Sequence, residues 1–303
     1  MRYLKWVLAA AFLGSIVPAH AQFSGIVFFG DSITHQRLYT QYVEDYFYTR
    51  FPNTRLRLHN AGVSGSVAWE ALERFGGDVA AYKPKYVMVL LGMNDGNHEP
   101  FNQAIFDTYR QDMAAIVQSI QKIGATPIVL TPTMFDARVR RAIRPDADAE
   151  STALYNAVLA YYGAWLREVA TEQGLGFVDV WAPLDNLVLE QRKSDPNFTL
   201  VPDSVHPDPA GHVVMAMAII HDLGLPRQMS SIRITRSADS PQRVSAAGGQ
   251  LSNLSWRDDG LEFTWQAECL PWVLPEEAHS GAKLTELGHC LSQESLEICP
   301  SQT

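Results

Sequence analysis

The sequence has few cysteines, no excess of positive charge, and no long apolar run beyond its first residues. Only three of its 303 residues are Cys, at positions 269, 290 and 299. The rest of the chain therefore does chemistry that is neither thiol-based nor dependent on a disulfide. In an oxidising compartment one pair among Cys269, Cys290 and Cys299 would bridge and leave one over, and the sequence does not choose the pair. Lys and Arg number 24 against 33 Asp and Glu, a net charge of −9. With that balance and no basic cluster, nucleic acid and anionic lipid are excluded as main partners. Low-complexity tracts and internal repeats are also missing. No stretch after residue 21 is apolar for long enough to span a bilayer, so no integral membrane segment is expected in the mature chain.

The first residues carry an export address. Arg2 and Lys5 form a short positive region, Trp6 to Val17 an apolar stretch too short to span a bilayer, and Ala19-His20-Ala21 a small-residue cleavage site. Residues 1–21 are expected to be a signal peptide cut after Ala21, giving a secreted or periplasmic protein. No Cys follows the cut, which argues against a lipid anchor.

From Gly25 to about Leu225 short apolar runs alternate with longer amphipathic stretches. The runs Ile26–Phe29, Leu56–Leu58, Tyr86–Leu91, Ile128–Leu130 and Phe177–Val180 are bounded by Gly, Pro, Asn or Asp, as buried parallel strands are. Helical periods fill the gaps: Val67 to Ala81, Phe101 to Ile123, and Ala149 to Gln173 with Leu154, Val158, Tyr162, Trp165, Leu166 and Val169 on one face. A last helix follows Pro207 and runs through His212 to about Asp222. Strands alternating with helices predict an α/β fold with a doubly wound parallel sheet, which places ligands at the carboxyl ends of its strands. After about Arg227 the pattern changes. Ile232 and Ile234 alternate with polar residues, and Leu254-Ser255-Trp256, an Asp259-Gly260 turn and Leu261/Phe263/Trp265 read as a β-hairpin. From Glu268 onward no period stands out. The division expected is a catalytic domain at 22–228 and a small β-rich C-terminal extension at 229–303.

Four polar blocks fall at the expected rim. The first strand runs into Gly30-Asp31-Ser32; a Ser there either exposes its hydroxyl at the sheet's edge or caps a helix. Asn60-Ala61-Gly62-Val63-Ser64-Gly65-Ser66 follows the second strand and Leu91-Gly92-Met93-Asn94-Asp95-Gly96 the third. Asp203-Ser204-Val205-His206-Pro207 precedes the last helix. A hydroxyl becomes a nucleophile only when a base takes its proton and a third group orients that base. Asp203 and His206, three apart on one loop, have the spacing for carboxylate to meet imidazole. An oxyanion then needs fixed donors. Gly65 can bring its backbone close, and Asn94 can offer a side-chain N–H. Asp31 and Asp95 fit a structural role in their loops. His212 and His221 read as packed or solvated helix residues, and Tyr39, Tyr42, Tyr46 and Tyr48 as helix packing. Trp69 is a candidate for the pocket wall.

In order and rough spacing, Gly30-Asp31-Ser32, Gly65, Asn94 and Asp203-x-x-His206 resemble the blocks of the SGNH/GDSL hydrolases, over roughly residues 25–222. The resemblance implies a three-layer α/β/α sandwich with a flavodoxin-like sheet. It implies Ser32 as nucleophile, His206 as general base and Asp203 as orienting acid. The oxyanion donors would be the Ser32 and Gly65 amides and the Asn94 side chain, and neither metal nor organic cofactor would be needed. The family spacing Asn-x-x-x-x-Gly selects Gly65 over Gly62, leaving Gly62 and Asn60 to shape the loop. The function implied is hydrolysis of carboxylic esters through an acyl-enzyme, on a small-molecule or polysaccharide ester, as a carbohydrate O-acetyl esterase or a short-chain lipase. Longer members carry a β-rich extension resembling residues 229–303. Two rivals compete. Gly96-Asn97-His98-Glu99 with Gly30-Asp31 resembles part of a two-metal phosphoesterase set, but the N-terminal Asp-x-His and a C-terminal Gly-His-x-His are missing. A non-catalytic carbohydrate-binding or interaction protein on the same fold is the other, and it has no need of a full set of triad and oxyanion residues.

Overall fold

The computed structural model describes residues 25–226, 228–235, 243–257, 260–286 and 293–299. The expected signal segment, Asp259 of the hairpin turn and Cys290 lie outside the described residues. Cys269 is unbridged, with its Sγ 3.7 Å from the Met229 carbonyl oxygen.

Five strands form one parallel sheet: β1 Ile26–Gly30, β2 Leu58–Gly62, β3 Tyr86–Leu90, β4 Thr126–Leu130 and β5 Gly176–Val178, in the order β2-β1-β3-β4-β5. This is the flavodoxin-like order, whose direction of winding reverses between β1 and β3. Alternation along β1 assigns the two faces. Phe28 meets Tyr39 of helix α2 (Leu38–Arg50) edge-on on one side, and Phe29 meets Phe75 of α3 (Ala68–Asp78) on the other. α2 packs with α8 (Pro209–Asp222), where Tyr39 stacks on His212. The opposite layer holds α3, α4 (Gln103–Lys122) and α6 (Ala149–Gln173); Tyr109 of α4 stacks on Tyr162 of α6 with ring centroids 4.6 Å apart. Side-chain caps start these helices, Asn102 for α4, Asp148 for α6 and Asp208 for α8. The three-layer α/β/α architecture is as expected.

Two details differ from the sequence reading. β2 begins at Leu58 instead of ending there, because an edge strand is buried less and its polar His59-Asn60 pair still joins the ladder. On α6, Leu154 is exposed and Tyr155 takes the core position at that end, while Val158, Tyr162 and Leu166 are buried as the period expects. Two helices without a sequence expectation complete the domain, α5 (Ala137–Ile143) and α7 (Trp181–Gln191).

In the C-terminal region β6 (Gln228–Thr235) pairs in parallel with β10 (Gln293–Cys299) and antiparallel with β7 (Arg243–Ala247), and β8 (Gly249–Arg257) and β9 (Gly260–Ala267) form the expected hairpin. Between β9 and β10 the chain returns to the main α/β layers. The Leu270 amide donates to the Thr49 carbonyl at 2.9 Å, and the Trp272 indole N–H donates to the Tyr42 carbonyl at 2.9 Å. Trp272, Leu274 and Ala278 are buried, and the short helix α9 (His279–Leu284) lies along α8 with Gly281 against Ala210 and Val213. Among the described residues no helix is long and apolar enough to cross a membrane.

Candidate active site

The carboxyl ends of β1, β2 and β3 bring the first three blocks to one rim. β1 ends at Gly30, and the chain turns at once into a one-turn helix, α1 (Ser32–His35). Asp31 caps it, its Oδ1 accepting the Ile33 amide at 2.9 Å. Ser32 therefore occupies the first helical position, where an amide has no partner within the helix. Two loop contacts fix the approach of β2 to this turn. Asn60 Nδ2 donates to the Thr34 carbonyl at 2.7 Å, and Asn60 Oδ1 accepts the Gly62 amide at 3.0 Å. A Cβ on Gly62 would lie 2.2 Å from the His35 nitrogen, so no larger residue fits there without moving α1. Gly65 is different. It is exposed with φ +77°, a left-handed conformation that side chains resist, and space around it is open.

The fourth block meets Ser32 from the loop before α8. His206 Nε2 lies 2.8 Å from Ser32 Oγ, and His206 Nδ1 lies 2.6 Å from Asp203 Oδ2. Asp203 Oδ1 accepts the Val205 and His206 amides at 2.9 and 2.7 Å, which holds the carboxylate plane against the ring. Burial alone would raise the Asp203 carboxyl. The bonds from the His206 amide and ring and from the Val205 amide outweigh it, and Asp203 sits below the ordinary carboxylate range. Ser204 between them takes φ +81°, a conformation costing on the order of 1–3 kcal/mol for a side-chain residue. The rest of the loop compensates. Asp136, itself buried, donates its amide to the Ser204 carbonyl at 3.0 Å while its Oδ2 accepts Arg192 at 2.5 Å and Thr199 at 2.7 Å.

The loop after β3 completes the rim. Asn94 Nδ2 donates to the Ser66 carbonyl at 3.1 Å, and Asp95 Oδ1 accepts the Ala68 amide at 2.8 Å. The structure thus brings Ser32, His206 and Asp203 into one hydrogen-bonded chain, with Asn94 beside the Gly65 loop. Sequence patterns gave no sign of Asp136, Arg192 or Arg74. Arg74 donates to the Gly30 carbonyl at 2.8 Å and the Ala61 carbonyl at 2.7 Å and lies over the Phe29 ring, tying β1 to β2 beneath the turn. Their partners are far apart in sequence, so no local spacing carries the signal.

The other candidates have settled places. Tyr39, Tyr42 and Tyr46 are buried in α2 and Tyr48 is exposed. His212 is fully buried, its Nε2 2.9 Å from Gln36 Oε1; burial, with His206 nearby, lowers it to about 3 and keeps it neutral. His221 is exposed beside Asp222. His98 lies against Tyr155 with the rings tilted by 40° and their centroids 4.7 Å apart. Asp31 spends an oxygen on its own turn, and among the described residues no three His, Cys, Asp or Glu side chains gather where a metal ion would fit. Trp69 stands half-exposed in the first turn of α3.

Burial pushes Asp31 up to about 7, the Ile33 amide and Arg74 pulling against it and Asp95 adding to it. The folded state then holds a proton that the unfolded chain, titrating at 3.8, releases. The stability tied to that proton is complete below about pH 4 and is lost as pH rises toward 7. Asp31→Asn keeps a side-chain oxygen for the Ile33 amide. It is expected to raise the Tm at about pH 8 and to flatten the fall in Tm between pH 4 and 8 in thermal melts. An unchanged slope would remove Asp31 from the pH response.

Comparison with known proteins follows the same blocks. The GDSL-like Lipase/Acylhydrolase family matches residues 28–214. An acetylxylan esterase of Geobacillus stearothermophilus is 26% identical over 192 residues, 61% of this chain and 80% of that protein. Among solved structures, a gut microbial diltiazem-metabolizing enzyme superposes with a TM-score of 0.75 at 24% identity, covering 93% of this chain and 67% of its own. That coverage leaves too few residues over to omit the C-terminal region. An alpha/beta hydrolase from the metagenome of Lake Arreo, Spain, covers 68% of this chain and 97% of its own at 27% identity, with a TM-score of 0.53. A match across most of the α/β layers, and blocks that fold onto one rim, make this chain a member of the GDSL-like lipase/acylhydrolase family and an SGNH-type carboxylic ester hydrolase.

Proposed function

We propose that the enzyme is a serine esterase working through an acyl-enzyme, and that its substrate is an acetyl ester on carbohydrate. The observation that carries the reading is the unbroken relay from Ser32 Oγ through the His206 ring to Asp203. In the first step His206 Nε2 takes the Ser32 proton as Oγ bonds to the ester carbonyl carbon, and the carbonyl electrons move to oxygen. The Ser32 amide, the Gly65 amide and Asn94 Nδ2 receive that oxyanion. The tetrahedral species collapses, the alcohol leaves with the proton from His206, and the acyl group stays on Ser32. Water, deprotonated by His206, then releases the acid and restores Ser32.

Two features favour a short acyl group on a bulky polar alcohol. The relay faces solvent, the Asp203 and His206 side chains being 53% and 31% exposed, so a sugar within a larger chain can approach it. Trp69, half-exposed at the start of α3 close in sequence to the Gly65 loop, has the flat apolar ring on which a sugar can rest. The acetylxylan esterase relative supports the same choice. We propose further that the enzyme is exported by residues 1–21, with catalysis in 22–228 and the extension at 229–303 serving another role.

The test is a p-nitrophenyl ester series from acetate to laurate, run beside acetylated xylo-oligosaccharides, for the wild type and Ser32→Ala, with and without chelator. Expected are chelator-insensitive activity, highest on acetyl esters and lost in the variant. Equal rates for both proteins would overturn the serine mechanism, and a laurate optimum would overturn the acetyl assignment.

A further inference from the structure

The two side chains that close the rim from β3 are neighbours in sequence, and both grip the same loop. Asn94 Nδ2 holds the Ser66 carbonyl at 3.1 Å, one residue after Gly65. Asp95 Oδ1 holds the Ala68 amide at 2.8 Å, two residues further on. The gripped loop is short and tight: the Ser66 amide bonds back to the Val63 carbonyl at 3.2 Å, and Ser66 itself is buried. Helix α3 begins at Ala68, and the residue before it, Val67, has no side-chain oxygen with which to cap it. Asp95 supplies that acceptor from across the rim. Its other oxygen, Oδ2, is shut off from solvent and makes no hydrogen bond in the described residues.

The loop that does the gripping is anchored from behind. Tyr109 of α4 donates its hydroxyl to the Leu91 carbonyl at 3.3 Å, and Tyr155 of α6 donates to the Met93 carbonyl at 2.5 Å. The β3 loop is thereby tied to the helical layer, and the Gly65 loop is tied to the β3 loop by adjacent residues. One proton of the Asn94 carboxamide is spent on Ser66, which fixes the carboxamide and leaves the second proton free. Among the described residues no hydrogen bond engages the Gly65 amide.

We infer that Asp95 is a positioning residue, which sets the distance between the Gly65 amide and Asn94 Nδ2 and so the spacing of the oxyanion donors. The inference rests on the serine-esterase reading above. Oxyanion donors act through preorganisation, and a displacement of about 1 Å costs on the order of 10²-fold in rate. A carboxylate that only capped α3 would affect stability and leave turnover alone.

The experiment measures kcat and KM on p-nitrophenyl acetate, and inhibition by phenylboronic acid, which forms a tetrahedral adduct on a serine hydroxyl. It compares wild type, Asp95→Ala, Asp95→Asn, Asn94→Ala, the double variant Asn94→Ala/Asp95→Ala, and Ser32→Ala. Asp95→Ala is expected to lower kcat about 10- to 100-fold with KM within about threefold, and to weaken the boronate in parallel. Asp95→Asn, which retains an acceptor for Ala68, recovers most of the loss. In the Asn94→Ala background the Asp95→Ala effect shrinks, because the donor it positions is gone. A folded Asp95→Ala with wild-type kcat, an undiminished boronate affinity, or additive losses in the double variant would overturn the inference. The parent reading fails separately, if Ser32→Ala keeps its activity.

Discussion

His206→Ala is expected to lower kcat by about 10⁴-fold or more while the protein stays folded. The reason is local. Ser32 Oγ has one imidazole within hydrogen-bond reach, at 2.8 Å, and the described residues around it offer no substitute base. His35 is exposed and turns its Nδ1 to the Gly62 carbonyl at 3.1 Å. His212 is packed flat on Tyr39, and its burial keeps it neutral down to about pH 3. Removing His206 also leaves Asp203 without the ring that it orients. Asp203 is half-exposed and keeps its two amide partners, so the carboxylate is tolerated and the loop has no reason to unfold. Steady-state hydrolysis of p-nitrophenyl acetate, with the Tm measured alongside, checks the result. Activity within tenfold of wild type would remove His206 from proton transfer.

Asn94→Ala is the second large effect, a fall of about 10²–10³ in kcat with little change in KM, by analogy with other oxyanion-hole side chains. A donor that is worth most when charge develops on oxygen contributes little to binding the neutral ester. Of the three donors assigned, two are backbone amides and cannot be deleted without rebuilding the chain, so Asn94 is the one that mutagenesis can isolate. Asn94→Ala also gives up the bond to Ser66, so the measured loss combines the missing donor with a loosened Gly65 loop. Asn94→Asp separates the two poorly, because it places negative charge where the oxyanion forms, and a still lower kcat is expected. Unchanged turnover in Asn94→Ala would take the residue out of the mechanism.

Much of this was legible beforehand, for a physical reason. Central parallel strands are buried on both faces, so Ile26–Phe29 and Tyr86–Leu91 appear as unbroken apolar runs. The functional blocks follow those strands directly, and their turn residues mark them. Legibility failed where the environment is mixed. β2 is an edge strand whose polar residues look like loop, and the Phe177–Val180 run stops pairing after Val178. There Thr131 Oγ1 takes the Val180 and Trp181 amides, both at 2.9 Å, and turns the chain into α7. Nothing in the local pattern announces a threonine 49 positions earlier. The support for the His206 loop was hidden in the same way, since Asp136 finds Arg192 56 positions later. Asp31 and Asp95 could be read as loop residues, but that Asp31 is buried and that Asp95 Oδ2 is shut off from solvent are properties of the packed rim alone.

The path of the chain between β9 and β10 bears on how such a protein can be varied over evolutionary time. Trp272 packs on α2, Leu274 joins the core, and α9 covers the start of α8, three residues after His206. Burying side chains of that size contributes about 1.5–3 kcal/mol each. A genetic exchange that replaced everything after residue 226 would strip this cover from the helix that follows the histidine. The C-terminal region is thus not a cassette to be traded freely among relatives. Whatever sheet is grafted there must bring its own return segment, or inherit this one, and the hairpin and outer strands are the parts free to drift.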